Sequence, residues 1–325
     1  MSGFDLGEVA ENTANKTIER ALQSIYDPIA VKVGRTRVEF FEDFSVYFKH
    51  MFQKCAFVRT ILSKNKSEHI SDLYVPVRFH CNGDKRLDFE IVKRIRSLER
   101  VVIRGNGGSG KTLFFKYLWL SIFSDTQGKI PLFVELRRFN DVKTPNLKAF
   151  CRFELQSKAI FSDSVFESLC ADGKFIFIFD GFDELSASIR SSVEKQIIEM
   201  SYVYRACGFA VSSRDDDRFG SWQDFKVYTV SKLTLVDVRA LVEKIDFDAR
   251  TKKKFQDELN EDFFNRHAQF LSSPLLTTMM LMTFYQNASI PNRITTFYSS
   301  AFQTMMLWHD ATKDSERLKN LPLSA

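Results

Sequence analysis

The chain has 325 residues, 44% of them hydrophobic, and a net charge of +5, which suits a folded globular protein of one elaborated α/β domain or two domains. The mild charge gives no argument for nucleic acid as main ligand, and five scattered cysteines without a C-x-x-C pair argue against a disulfide frame or a zinc site. No apolar run approaches the ~20 residues that cross a bilayer, and the first residues show no export signal, so a cytoplasmic protein with no membrane contact is expected.

In chain order, Leu6 to Ile25 and Arg37 to Leu62 read as helices, the second with an aromatic stripe at Val38, Phe41, Phe44, Phe48 and Phe52. Such a stripe predicts packing, in a core or between subunits. Asp72 to His80 reads as extended, because Pro76 excludes helix, and Asn82-Gly83 supplies a turn. Phe89 to Leu98 reads as a short amphipathic helix. It leads into Val101 to Ile103, an apolar β-branched run of the kind buried on both faces of a sheet. Leu113 to Phe123 is again helical. Further strands are expected at Ile130 to Leu136, Phe175 to Phe179, Phe209 to Ser212 and Val227 to Val230, separated by helical stretches. That alternation predicts an α/β fold with a five-stranded parallel sheet covered on both sides. After Lys232 the pattern is helical, and Lys252-Lys253-Lys254, set among acidic residues, reads as a solvated helix face. The expected divisions are an N-terminal helical region, 1–72, an α/β domain, 73–231, a helical domain, 232–291, and a last segment, 292–325.

Between the first two strand–helix partners lies Gly105-Asn106-Gly107-Gly108-Ser109-Gly110-Lys111-Thr112, a G-x-x-x-x-G-K-T loop in its required strand–loop–helix context. Its backbone N–H groups and the following helix N-terminus would cradle phosphate oxygens. Lys111 would reach the β- and γ-phosphates, and the Thr112 hydroxyl would ligate Mg²⁺. Phe175 to Phe179 ends in Asp180-Gly181-Phe182-Asp183-Glu184, which puts a carboxylate at the C-terminal end of a parallel strand, where such sheets bind ligands. Asp180 is expected on the same Mg²⁺, with Asp183 or Glu184 orienting or deprotonating a water. Phe209 to Ser212 leads to Ser213-Arg214. There Arg214 is placed either to read the γ-phosphate or to pair with one of Asp215, Asp216 and Asp217.

Taken together, GNGGSGKT, IPLFVELRRF, FIFIFDGFDEL, FAVSSR, LSSPLL and IPNRITTFY resemble the NACHT family of P-loop NTPases, in the STAND class of AAA+-like proteins. The most discriminating segment is DGFDE, because ordinary AAA+ ATPases put Glu directly after the metal-binding Asp. The resemblance covers roughly residues 73–309. It implies an ATP/ADP switch that hydrolyses ATP slowly with Mg²⁺, and it implies self-association or a separate sensor chain, with relatives acting in innate immunity and anti-phage defence. It also implies Tyr74 and Val75 beside the adenine and Pro274 on the base. Two departures are Asp215 in place of the family's frequent Pro, and an incomplete winged-helix segment at 292–325, as in a fragment, a truncated product or a split system. Two alternatives stay open: a non-hydrolysing nucleotide-binding scaffold and an AAA+-like ATPase acting on nucleic acid.

Overall fold

The computed structural model describes residues 11–26, 37–62, 66–142, 145–155 and 163–287. The start of the first expected helix, and the expected winged-helix segment with IPNRITTFY, lie outside these. The chain divides into two compact units, one drawn from Met1–Val58 and His69–Ser231, the other from Arg59–Glu68 and Lys232–Ala325.

The first unit is built on one seven-stranded sheet. Its strands are β1 (Arg78–Cys81), β2 (Asp84–Leu87), β3 (Arg100–Arg104), β4 (Ile130–Glu135), β5 (Phe175–Asp180), β6 (Gly208–Ser213) and β7 (Phe225–Val230), in the spatial order β2-β1-β7-β3-β6-β5-β4. The last five in that order are mutually parallel and are the five strands expected from the sequence. β5 and β6 are buried along their whole length, which is why they are apolar without alternation.

The strand count is where the expectation of five needs correction. β1 and β2 form an antiparallel hairpin that joins β7, with Phe79 opposite Val230. Asn82 and Gly83, at φ 50° and 86°, make its two-residue turn. β2 is Asp-Lys-Arg-Leu and mostly exposed, so it lacks the apolar pattern that reveals a buried strand.

Around the sheet lie α1 (Glu11–Tyr26), α2 (Arg37–Ala56), α3 (Asp88–Arg96), α4 (Lys111–Ser124), α5 (Leu147–Leu155), α6 (Asp163–Ala171) and α7 (Ala187–Val203). α4 is apolar on nearly every face because it is packed on nearly every face; Phe114, Phe115, Leu118, Trp119, Ile122 and Phe123 are all buried. One of its neighbours is α2. Phe48 meets Trp119 and Phe123 at ring-centroid distances of 6.2 and 5.4 Å, and Phe52 meets Phe123 at 5.9 Å. α2 therefore buries its aromatic stripe in the core of this unit, with Phe40 fully buried and Phe41 only partly so. The helix ends at Ala56, short of the expected Leu62, and Phe57–Val58 is extended.

Tyr47 of α2 does more than pack. Its hydroxyl donates to Pro131 O at 2.8 Å and accepts from Phe133 N at 3.0 Å, both on β4, the edge strand of the sheet. An edge strand presents unpaired backbone groups, and here a tyrosine satisfies two of them under cover of a helix.

The second unit is helical through the described residues after Lys232: α8 (Leu235–Lys244), α9 (Ala249–Glu258), α10 (Glu261–Arg266), α11 (Ala268–Leu271) and α12 (Pro274–Asn287). Thr234 and Asp237 form a capping box on α8, and Asp248 and Asn260 cap the next two helices. Phe255 packs against Phe263 and Phe284 in its core, while Lys253 and Lys254 are exposed on the solvated face of α9, as read from the sequence.

Candidate nucleotide site

The C-terminal ends of β3, β5 and β6 carry the three sequence segments singled out above, and their side chains converge. The loop after β3 is anchored at its base by Gly105 N–H donating to Ser213 O at 3.2 Å. Gly108 and Gly110 have φ of 74° and 96°, which turns the loop back on itself before α4 begins. Phe114 N–H donates to Gly110 O at 2.9 Å, so α4 starts directly from the loop. Asn106, Gly107 and Gly108 are exposed at its rim, and Ser109 closes the turn through its N–H to Asn106 O at 3.2 Å.

Lys111 turns its ammonium onto this loop, donating to Gly105 O at 2.6 Å and Asn106 O at 3.1 Å. Burial lowers its pKa, and the charges of Asp183 and Asp180 act the other way. The loop lysine and the acidic tip of β5 thus share one electrostatic environment.

Asp180 is 7% exposed at the end of β5. Burial raises its pKa, while hydrogen bonds from Ser212 and Thr112 favour the carboxylate. Ser212 Oγ donates to Asp180 Oδ1 at 2.5 Å and accepts from Gly181 N at 2.8 Å. Sequence reasoning passed over Ser212, although it lies in the quoted FAVSSR segment. The signal was the strand register: Phe179 pairs with Val211, so the next residue on each strand is Asp180 and Ser212.

Thr112 and Asp180 present a hydroxyl and a carboxylate side by side at the mouth of the loop. Mg²⁺ takes hard oxygen donors and few protein ligands, so this pair fits it. Among the described residues there is no cluster of three or more His, Cys, Asp or Glu of the kind a metal with an all-protein shell needs.

Asp183 and Glu184, equivalent in the sequence reading, are not equivalent in space. Asp183 is tied to Arg214 twice: its Oδ1 accepts from the Arg214 backbone N at 3.1 Å, and its Oδ2 pairs with Nε at 3.0 Å. Arg214 therefore pairs with none of the three aspartates that follow it. Asp215 pairs with Arg104 at 3.1 Å, and Asp216 lies 3.6 Å from Arg218. The held guanidinium lies 3.8 Å from the place a Cβ on Gly107 would occupy, so it stands beside the phosphate loop.

Glu184 carries no ion pair among the described residues. Its pKa is raised, first by burial and then by the charges of Asp180, Asp183 and Glu135, with Arg137 restraining the rise. Its carboxyl lies over Gly181: a Cβ there would meet Glu184 Cδ at 3.1 Å, at a backbone φ of +81°. The turn that bears it is held from two sides. Asn140 donates from Nδ2 to Glu184 O at 2.9 Å and accepts Ser186 N–H at 2.8 Å. From α7, Arg190 donates to Asp183 O at 3.0 Å and Leu185 O at 2.6 Å. Neither Asn140 nor Arg190 was singled out from the sequence, because each acts on backbone groups and leaves no motif.

Of the residues implied at the base, Tyr74 has a buried ring, stacked on Tyr117 at 4.7 Å, with its hydroxyl donating to Asp88 Oδ2 at 2.7 Å. Val75 is half-buried beside it, and Pro274 is the first residue of α12 in the second unit.

A glycine loop from a parallel strand into a helix, opposite a strand-end aspartate, defines a P-loop nucleotide-binding domain on an α/β fold. Residues 99–257 match the family model described as NACHT domain, and that part of the chain is a NACHT domain. The chain is also 27% identical over 172 residues to an uncharacterized WD repeat-containing protein of Nostoc sp. (strain PCC 7120 / SAG 25.82 / UTEX 2576). That match covers 49% of this chain but only 11% of the relative's length. Among solved structures, C. elegans PCH-2 is similar with a TM-score of 0.39 and 11% identity, over 67% of each chain. Domain III of the Thermotoga maritima replication initiation protein DnaA is similar with a TM-score of 0.38 and 13% identity, over 67% of this chain and 87% of that one. Both structural likenesses are distant. No helix among the described residues is long and apolar enough to cross a membrane.

Proposed function

We propose that the chain is an ATP-binding NACHT switch that hydrolyses ATP slowly with Mg²⁺ and couples the nucleotide state to assembly with copies of itself or with a sensor chain. The observation that carries this reading is the meeting of Lys111, Thr112 and Asp180 at one point, with Glu184 and the Asp183–Arg214 pair beside them.

In this reading the backbone of residues 105–110 holds the phosphates, and Lys111 exchanges the loop carbonyls for β- and γ-phosphate oxygens. Thr112 and Asp180 would hold Mg²⁺, which supplies neutralisation of the phosphate charge when bound. Glu184, with its raised pKa and no ion-pair partner, accepts the proton of the attacking water. Asp183 acts by fixing Arg214, whose guanidinium then faces the γ-phosphate as a pre-set donor. Tyr74 and Val75 lie along the base, Tyr74 through its backbone because its ring is committed to Tyr117 and Asp88. The place of Pro274 at the base rests on the family resemblance alone.

The wider role, in signalling for innate immunity or anti-phage defence in the cytoplasm, comes from the family resemblance. A relative named for WD repeats is in keeping with a switch attached to a recognition part. Single-turnover hydrolysis of ATP tests the chemistry: phosphate should appear with the wild type and not with Glu184→Gln, although both bind nucleotide. No phosphate over hours with the wild type would leave a nucleotide-binding scaffold in place of an enzyme.

A further inference from the structure

We propose that Ser212 is the positioning residue for the metal-binding aspartate, setting the orientation of the Asp180 carboxylate and thereby the Mg²⁺ dependence of nucleotide binding. The inference rests on the reading above that Asp180 faces Mg²⁺. It goes beyond that reading by assigning a role to a residue on a different strand.

The geometry fixes the direction of every hydrogen in this contact. Gly181 N–H can only donate, and it donates to Ser212 Oγ at 2.8 Å. With a lone pair so engaged, the Ser212 O–H is directed to Asp180 Oδ1 at 2.5 Å. Ser212 is 1% exposed, so no water competes for either bond. The result is a relay from a backbone donor, through a hydroxyl, to a carboxylate that is itself 7% exposed. Without that donor the Asp180 carboxylate is free to rotate away from the orientation in which it faces the metal. Partners behind a metal ligand commonly change metal affinity by about 10–100-fold when removed.

Gly181 is part of the device. Its φ of +81° turns the N–H side of the peptide toward β6 while the chain leaves the strand for the acidic turn. Ser212 thus also joins β6 to the segment that carries Asp183 and Glu184.

The test measures equilibrium binding of a fluorescent ADP analogue in excess EDTA and across a Mg²⁺ titration. For Ser212→Ala, affinity in EDTA should stay within about twofold of wild type, while the Mg²⁺ needed for half-maximal effect rises about tenfold, the low end of the range for such partners. Ser212→Cys keeps the side-chain connectivity, with a slightly larger atom that is a weak donor, so it should shift the midpoint in the same direction by less. It serves as the second variant if the alanine form does not fold. An unchanged Mg²⁺ midpoint in a folded Ser212→Ala or Ser212→Cys protein would overturn the proposal. The parent reading fails separately, if Mg²⁺ has no effect on the wild type or if Asp180→Asn titrates like wild type.

Discussion

At the tip of β5, Glu184 sits among Asp180, Asp183 and Glu135 in a partly buried turn, and burial followed by those charges raises its pKa above the ordinary 4.5. A general base must be ionised to work. Turnover should therefore fall as pH drops through a value above 4.5, and Glu184→Gln should remove turnover at every pH while leaving nucleotide affinity in place. A pH–rate profile of the wild type with its acid limb below 4.5 would put the base elsewhere. Gly181, in the same turn, holds a backbone conformation that favours glycine. An alanine there must adopt φ +81° and accommodate the Glu184 carboxyl at 3.1 Å, so Gly181→Ala should cost about 1–2 kcal/mol or more in urea unfolding. The sequence made the loop, the lysine and the strand-end aspartate legible because each belongs to a pattern with fixed spacing. It left Asp183 and Glu184 interchangeable, since what separates them is Arg214, thirty-odd residues on and adjacent only once β5 and β6 are paired.

Helix α2 and strand β4 show what element-level reading can and cannot reach. The 3–4 spacing of aromatics in α2 announces a buried face; of the stripe read from the sequence, Phe44, Phe48 and Phe52 are buried and Phe41 is only partly so, while Phe40, which was not part of it, is fully buried. The partner is not encoded in that spacing, and the structure supplies it in Trp119 and Phe123 of the phosphate-loop helix. Tyr47 reaches the edge of β4, and Lys54 pairs with Glu135 at 3.1 Å, where Glu135 stands opposite Asp180 in the register. Replacing Tyr47 with Phe keeps the ring but strands Pro131 O and Phe133 N–H in a buried place, except for the Trp119 Nε1 bond to Pro131 O at 3.0 Å. The expected loss is about 1–3 kcal/mol in equilibrium unfolding, with faster hydrogen exchange at the Phe133 amide. Unchanged exchange there would mean the hydroxyl is not what protects the edge. The β1–β2 hairpin makes the complementary point, since its outer strand carries Asp, Lys and Arg. Exposure on an edge removes the apolar signature by which the five parallel strands were read.

For the whole molecule, the seven-stranded sheet, the phosphate loop and the NACHT match over residues 99–257 make this a P-loop NTPase domain. α1 and α2 share the core of that domain, so removing them should expose the apolar back of α4 and abolish cooperative unfolding. The central claim is that Lys111 and Asp180 act together on the phosphate and Mg²⁺ end of one bound nucleotide. Isothermal titration calorimetry of Mg-ATP into wild type, Lys111→Ala and Asp180→Asn tests it most directly. Binding to the wild type should be saturable, and affinities should be at least ~10-fold weaker in both variants, because each loses a charged contact worth about 1.5–3 kcal/mol. Wild-type affinity retained in Lys111→Ala, or no heat of binding in the wild type, would contradict it.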